Sequence, residues 1–197
     1  MITVALDKDA EAARPWIEAA QPTHPSLIDT RFEVSDLYNM VNVPTILWID
    51  EDGRIARPND VAFGNNKYRE VTGLDAEVHM QALRAWVRGE APAIDPERAR
   101  ALQQEMNLLP SAAHQEARAE FALARWLWEQ GRKEAAERHF VRAGELAPED
   151  FNIRRGSMPM RDIDPMGPAF FAMAGAWREA GNDYYRPLPE APGSTQA

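Results

Sequence analysis

Apolar residues occur in short runs in the first half of the chain and at helical spacing in the second. Ile2 to Leu6 is an apolar run with β-branched members that ends at Asp7, which predicts a buried strand. Asp9 is placed to cap a helix through about Ala20, with Ala13, Trp16, Ile17 and Ala20 on one face. Pro15 predicts a kink or a restart in that helix. Gln21 to Pro25 breaks the chain, Ser26 to Asp29 reads as a short strand, and Glu33 to Asn39 as a short helix with Val34, Leu37 and Tyr38 inward. Pro44 then opens a second buried strand, Thr45 to Asp50. Glu51-Asp52-Gly53 is a hairpin turn, and Arg54 to Arg57 is the return strand, which Pro58 stops. A polar loop over 59–74 leads to a helix capped by Asp75, carrying Val78, Leu83, Trp86 and Val87, and closed by Gly89.

Gly89 to Ile94 marks a domain boundary, because the pattern beyond it is helical throughout. Asp95-Pro96 is an N-cap followed by proline in the first helical position, and Ala99, Leu102, Met106 and Leu109 share a face. Further helices are expected over Ser111–Gln130, Lys133–Leu146 and about Pro165–Ala180, with a loop over Glu149–Asp164. The expected organisation is α/β over 1–90, all-α over 95–183, and a disordered tail over 184–197 that contains Pro187, Pro189 and Pro192.

The chain is 197 residues long, 45% hydrophobic, with a formal net charge of −9. That length suffices for one large or two small domains with a real core. Both halves carry a carboxylate excess, which argues against a nucleic-acid partner. No stretch is long and apolar enough to span a membrane, and the first residues lack the pattern of a signal peptide, so the expected compartment is the cytoplasm. The absence of cysteine removes disulfides, thiolate metal sites and a Cys nucleophile from these 197 residues.

The order of elements around Thr3-Val4-Ala5-Leu6-Asp7, His24 to Asp29, Leu37-Tyr38, Val41-Asn42-Val43-Pro44-Thr45, and Trp48-Ile49-Asp50 through Asp52-Gly53-Arg54-Ile55 resembles the C-terminal portion of thioredoxin-like redoxins, most closely the TlpA/ResA type. The resemblance covers about residues 2–88. It implies thiol–disulfide oxidoreductase activity, and it implies that Val43, Pro44 and Thr45 position the backbone of a substrate peptide, with Pro44 in the cis form. The alternative is an ordinary trans proline opening a strand. The family's CxxC motif sits at a helix N-terminus upstream of the strand that Ile2–Leu6 matches, and no residue here replaces it. The strand before that motif lies between those that Ile2–Leu6 and Thr45–Ile49 match. Its absence predicts direct pairing of these two, a rearranged sheet, or a homodimer through the sheet edge. Some relatives look as if they use selenocysteine in the motif, whose UGA codon is read as a stop, so a Cys- or Sec-containing segment upstream of Met1 is an expectation.

Residues 117–150 resemble one tetratricopeptide repeat. Ala124, Ala136 and Ala143 occupy its small positions, Leu123, Leu127 and Phe140 its large ones, with Gly131 at the turn and Pro148 at the end. The helices at 96–109 and 165–180 are expected to flank it, since such a unit cannot bury its faces alone. The resemblance implies a peptide-binding groove; the alternative is a helical cap packed on the first domain or on a second copy.

No cofactor is implied: glycine-rich phosphate loops, nucleophile elbows and EF-hand loops are all missing. His24, His79, His114 and His139 lack metal-ligand spacing and read as exposed or capping residues. Arg154, Arg155 and Arg161 form a candidate contact for an anion or an acidic partner, set against pairing with the chain's own carboxylates. Trp126 and Trp128 cannot both face one side of a helix, so one is expected at an interface. Two function classes follow: the C-terminal portion of a thiol (or selenol) oxidoreductase, inactive without its cysteine, and a non-catalytic module that binds a protein or peptide.

Overall fold

Strand β1 (Thr3–Leu6) and strand β2 (Ser26–Asp29) pair in parallel, Thr3 opposite Ser26 and Leu6 opposite Asp29, in the computed structural model of the chain, which describes residues 1–106 and 109–189. Parallel neighbours need a crossover, and helix α1 (Ala10–Ala20) supplies it. The Asp9 carboxylate accepts the Ala12 N–H at 2.9 Å, as its sequence position predicts. α1 runs past Pro15 as one helix. The expected inward face is corrected: Ala13 is buried, whereas Trp16 is 79% exposed. In the short helix α2 (Glu33–Leu37) the expectation fails in the same way, with Leu37 and Tyr38 outward and Ser35 inward.

These elements belong to one compact unit, Met1–Asn42 with Pro110–Asn182. Its helices are α6 (Ala112–Glu129), α7 (Lys133–Leu146), the single turn α8 (Phe151–Arg154), a 3-10 turn over Met158–Arg161, and α9 (Pro168–Glu179). Ser111 caps α6 and Gly131, at φ +72°, turns the chain into α7. Ala124, Ala136 and Ala143 are buried where α6 meets α7, and Phe121, Leu127 and Phe140 fill the space between. Leu123, expected at a large packing position, is instead exposed. Phe32, in the left-handed conformation ahead of α2, sets its ring edge-on against Phe121 with centroids 5.1 Å apart. Arg125 lies over the Phe32 ring and donates to the Arg31 carbonyl at 2.7 Å. Main-chain and side-chain amides of Phe151 and Asn152 bond to Val41 and Met40 carbonyls. Gly156 is required by closeness: a Cβ there would lie 2.0 Å from the Asn152 carbonyl oxygen and 2.8 Å from the Phe32 ring.

The second unit is Val43–Leu109 with the chain from Asp183 on. Strands β3 (Ile46–Ile49) and β4 (Ile55–Asp60) form an antiparallel hairpin with irregular register. β4 continues through Pro58, correcting the expected stop; no strand pairs with its other edge among the described residues, and an edge tolerates the missing N–H. The expected loop over 59–74 contains a 3-10 turn, Asn66–Tyr68, and the short helix α3 (Arg69–Thr72). Helix α4 (Ala76–Val87) buries Ala76 and His79, while Val78 and Val87 face out. Helix α5 (Pro96–Glu105) starts at the Asp95 cap and buries Leu102. Residues 184–189 of the expected disordered tail are placed. Tyr184 and Leu188 are buried, and the Leu188 N–H donates to Asp60 at 2.9 Å. The rest of that tail lies outside the described residues.

The protein is mixed α/β, about 51% helical, with small sheets. Its compact units do not follow the expected split into 1–90 and 95–183. The reason is the set of contacts just given: α6 to α8 cover the β1–β2 segment through Phe32, Met40 and Val41, while α5 packs with β4. The helix at 96–109, expected beside the α6–α7 pair, therefore sits in the other unit.

Candidate functional site

Val43, Pro44 and Thr45 form the lead-in to β3, and the Val43–Pro44 peptide bond is cis. Val43 is 39% exposed, and Pro44 and Thr45 are half-buried. The hairpin behind them rests on an aromatic and ionic core. Trp48 stacks on Trp86 at 5.2 Å and donates its indole N–H to His79 Nε2 at 3.1 Å. That nitrogen is therefore an acceptor, and the ring proton sits on Nδ1, 3.9 Å from an Asp60 carboxylate oxygen. Arg57, 1% exposed, donates through Nε and Nη2 to the same oxygen at 3.1 and 2.8 Å. The other Asp60 oxygen accepts the Val61 and Leu188 N–H groups. Burial holds His79 below its ordinary value; Asp60 opposes that and Arg57 reinforces it. This cluster ties the hairpin to α4 through His79 and to Leu188 through Asp60.

The second feature is a strand edge. Thr3 and Asp7 donate toward β2, to the Pro25 and Asp29 carbonyls. Backbone groups alternate along a strand, so those of Val4 and Leu6 point away from β2. No strand pairs with that edge, and β3 likewise pairs only with β4, among the described residues. The expected direct pairing of the Ile2–Leu6 and Thr45–Ile49 strands does not occur; there are two separate two-stranded sheets.

The three arginines singled out in the sequence are each engaged by a different group. Arg154 donates to the Pro148 carbonyl and lies over Phe151. Arg155 donates to the Pro165 carbonyl and lies 4.7 Å from the Phe170 centroid. Arg161 makes a two-pronged pair with Glu137 at 2.8 and 2.6 Å, which holds that carboxyl below its usual range. Of the tryptophans on α6, Trp126 is half exposed and Trp128 packs against the core.

Two histidines are buried rather than exposed, a correction to the sequence reading. His79 is described above. His114 pairs through Nε2 with Asp150 at 2.7 Å, and the same carboxylate caps α8 by accepting the Ile153 N–H. Burial pushes the Asp150 carboxyl up, and His114 opposes the rise. Asp36 is raised by burial too, with Arg118 opposing at 3.4 Å. His24 pairs with Thr3, and His139 with Glu120. No group of three or more His, Asp or Glu is arranged to hold a metal among the described residues. The buried polar pairs were missed because their partners are 31 and 36 residues apart in sequence. No helix is long and apolar enough to cross a membrane. Compared with protein-family models, curated proteins and solved structures, the chain matches none.

Proposed function

We propose that this chain is the C-terminal portion of a TlpA/ResA-like thiol–disulfide (or selenol) oxidoreductase, with its nucleophile on sequence outside these 197 residues. The observation that carries the reading is the two-stranded parallel sheet whose β1 edge, at Val4 and Leu6, has no strand beside it among the described residues. Parallel sheets are normally larger and covered on both faces, and two strands alone are marginal. The redoxin resemblance requires an additional strand at that edge, followed by the redox motif. In this reading Val43, Pro44 and Thr45 present backbone groups to the substrate polypeptide, and the 197 residues alone are inactive for want of a thiol. The intact mass and N-terminal sequence of the protein from its native host test this. A mass above 22.2 kDa, with Cys or Sec in the added segment, is expected; a mass of 22.2 kDa overturns it.

A second reading is favoured by the same edge and by the lack of cysteine: a non-catalytic binding module that takes an extended protein segment, or a second copy, along β1. Antiparallel self-pairing with Val4 opposite Leu6 of the second copy places no like charges opposite one another. Sedimentation equilibrium then gives twice 22.2 kDa, and Val4→Pro, which removes an outward N–H while leaving the β1–β2 bonds, returns the monomer. A monomeric wild-type chain overturns the self-pairing.

A further inference from the structure

Helix α9 carries no charged side chain from Pro168 to Trp177. Its inner side buries Phe170 and Ala174. Its outer side leaves Pro168, Ala169, Ala172 and Ala176 exposed, with Phe171 59% exposed beside them. A helix at a protein surface normally turns a polar face outward, and one that is apolar all round is covered on both sides. Met166, just ahead of α9, adds a further large apolar side chain at that end, 56% exposed.

The charges at the two ends of α9 are complementary. Glu179 lies in the last turn, on the same side as Pro168, Ala172 and Gly175 at about 3.6 residues per turn. The dipole of its own helix disfavours a carboxylate there. At the opposite end, Arg155 donates to the Pro165 carbonyl, contacts the Met166 sulfur and lies over the Phe170 ring. All three of these partners are uncharged. Asp164, the carboxylate just ahead of α9, accepts the Met166 N–H, and no side chain caps the helix. No ion pair reaches Arg155 or Glu179 among the described residues.

We propose that the outer face of α9 pairs antiparallel with α9 of a second copy of this chain about a two-fold axis. With the axis between Ala172 and Gly175, small residues oppose one another and the helices approach closely. Phe171 of each copy then fills the space beside Gly175 of the other, where an added Cβ would meet nothing within 4 Å. Glu179 of each copy reaches the start of the other's α9, where Arg155 and the uncapped helix end favour a negative charge. The surface is separate from the β1 edge and needs no redox activity.

A single helix face is a small interface, so the dimer is weak and needs high concentration. Sedimentation equilibrium of the whole 197-residue chain tests the proposal. The weight-average mass is expected to rise from 22.2 kDa toward twice that value as concentration approaches about 1 mM. Ala172→Glu is expected to abolish the rise. Glu179→Lys is expected to weaken association about tenfold, since each dimer holds two Glu179–Arg155 contacts. Ala172 and Glu179 are both exposed, so the variants keep the fold, which an unchanged thermal transition verifies. A chain that stays monomeric throughout, association that survives Ala172→Glu, or an undiminished constant in Glu179→Lys overturns the proposal. Association that Val4→Pro removes and Ala172→Glu does not belongs to the β1 edge and overturns it equally.

Discussion

The two compact units solve the problem of a small sheet in different ways. In the first, α6 and α7 pack through alanines and aromatics, Ala124, Ala136 and Ala143 with Phe32, Phe121 and Phe140, and Leu6 of β1 packs against that cluster. In the second, the β3–β4 hairpin is backed by buried charge, Arg57 on Asp60, with His79 and Trp48 closing the network. The first core resists perturbation in proportion to volume. The second depends on every partner being present, because a buried ion left alone retains its full desolvation penalty. Packing around alanines and a buried ion pair are thus two routes to a close-packed core: both lose stability on substitution, the first through changed volume and the second through lost charge pairing.

The sharpest way to break the comparison is Asp60→Ala. It removes the carboxylate that pairs with the buried Arg57 and accepts two backbone N–H groups, and should cost about 3–5 kcal/mol in chemical denaturation. Replacing both partners, Arg57→Met with Asp60→Leu, should cost much less than Asp60→Ala alone. An additive double mutant would show that the charges do not act as a pair. In the first unit, Gly156→Ala should cost about 1–3 kcal/mol, since the new methyl meets backbone and a ring that cannot both yield. A neutral result in thermal unfolding would mean that α8 moves away from Phe32 without loss.

The smallest effect expected is on pH dependence. Burial lowers the His79 value in the folded state, so the unfolded chain binds more protons as pH falls below about 6.5. The stability contributed by neutral His79 is complete above that pH and is lost on acidification toward the folded value. Asp150 has the opposite sign: its raised value means that stability is greatest with the acid protonated and declines as pH rises through the folded value. His79→Gln should therefore flatten the stability profile just below about pH 6.5. An unchanged slope would assign that loss to other groups.

Local signals were read well where a residue's role is fixed by its near neighbours. Asp9, Asp75 and Asp95 all cap the helices they were expected to cap, and Lys133–Leu146 is α7. Facing was read poorly in short helices. Trp16, Leu37 and Val78 are apolar yet exposed, because α1, α2 and α4 bury alanine, serine and histidine against their neighbours instead. The cis form of the Val43–Pro44 bond was expected from the redoxin resemblance, and the structure has it. The grouping of α6 to α8 with β1–β2 was not legible, since it turns on Phe32 meeting Phe121 across 89 positions of chain.

Among the described residues, no strand pairs with the Val4 and Leu6 side of β1. Amide hydrogen exchange, measured residue by residue at a concentration where ultracentrifugation shows monomer, tests it most directly. The account predicts fast exchange at Val4 and Leu6 beside slow exchange at Ala5, whose N–H points toward β2. Equal protection at all three positions in the monomer would contradict it.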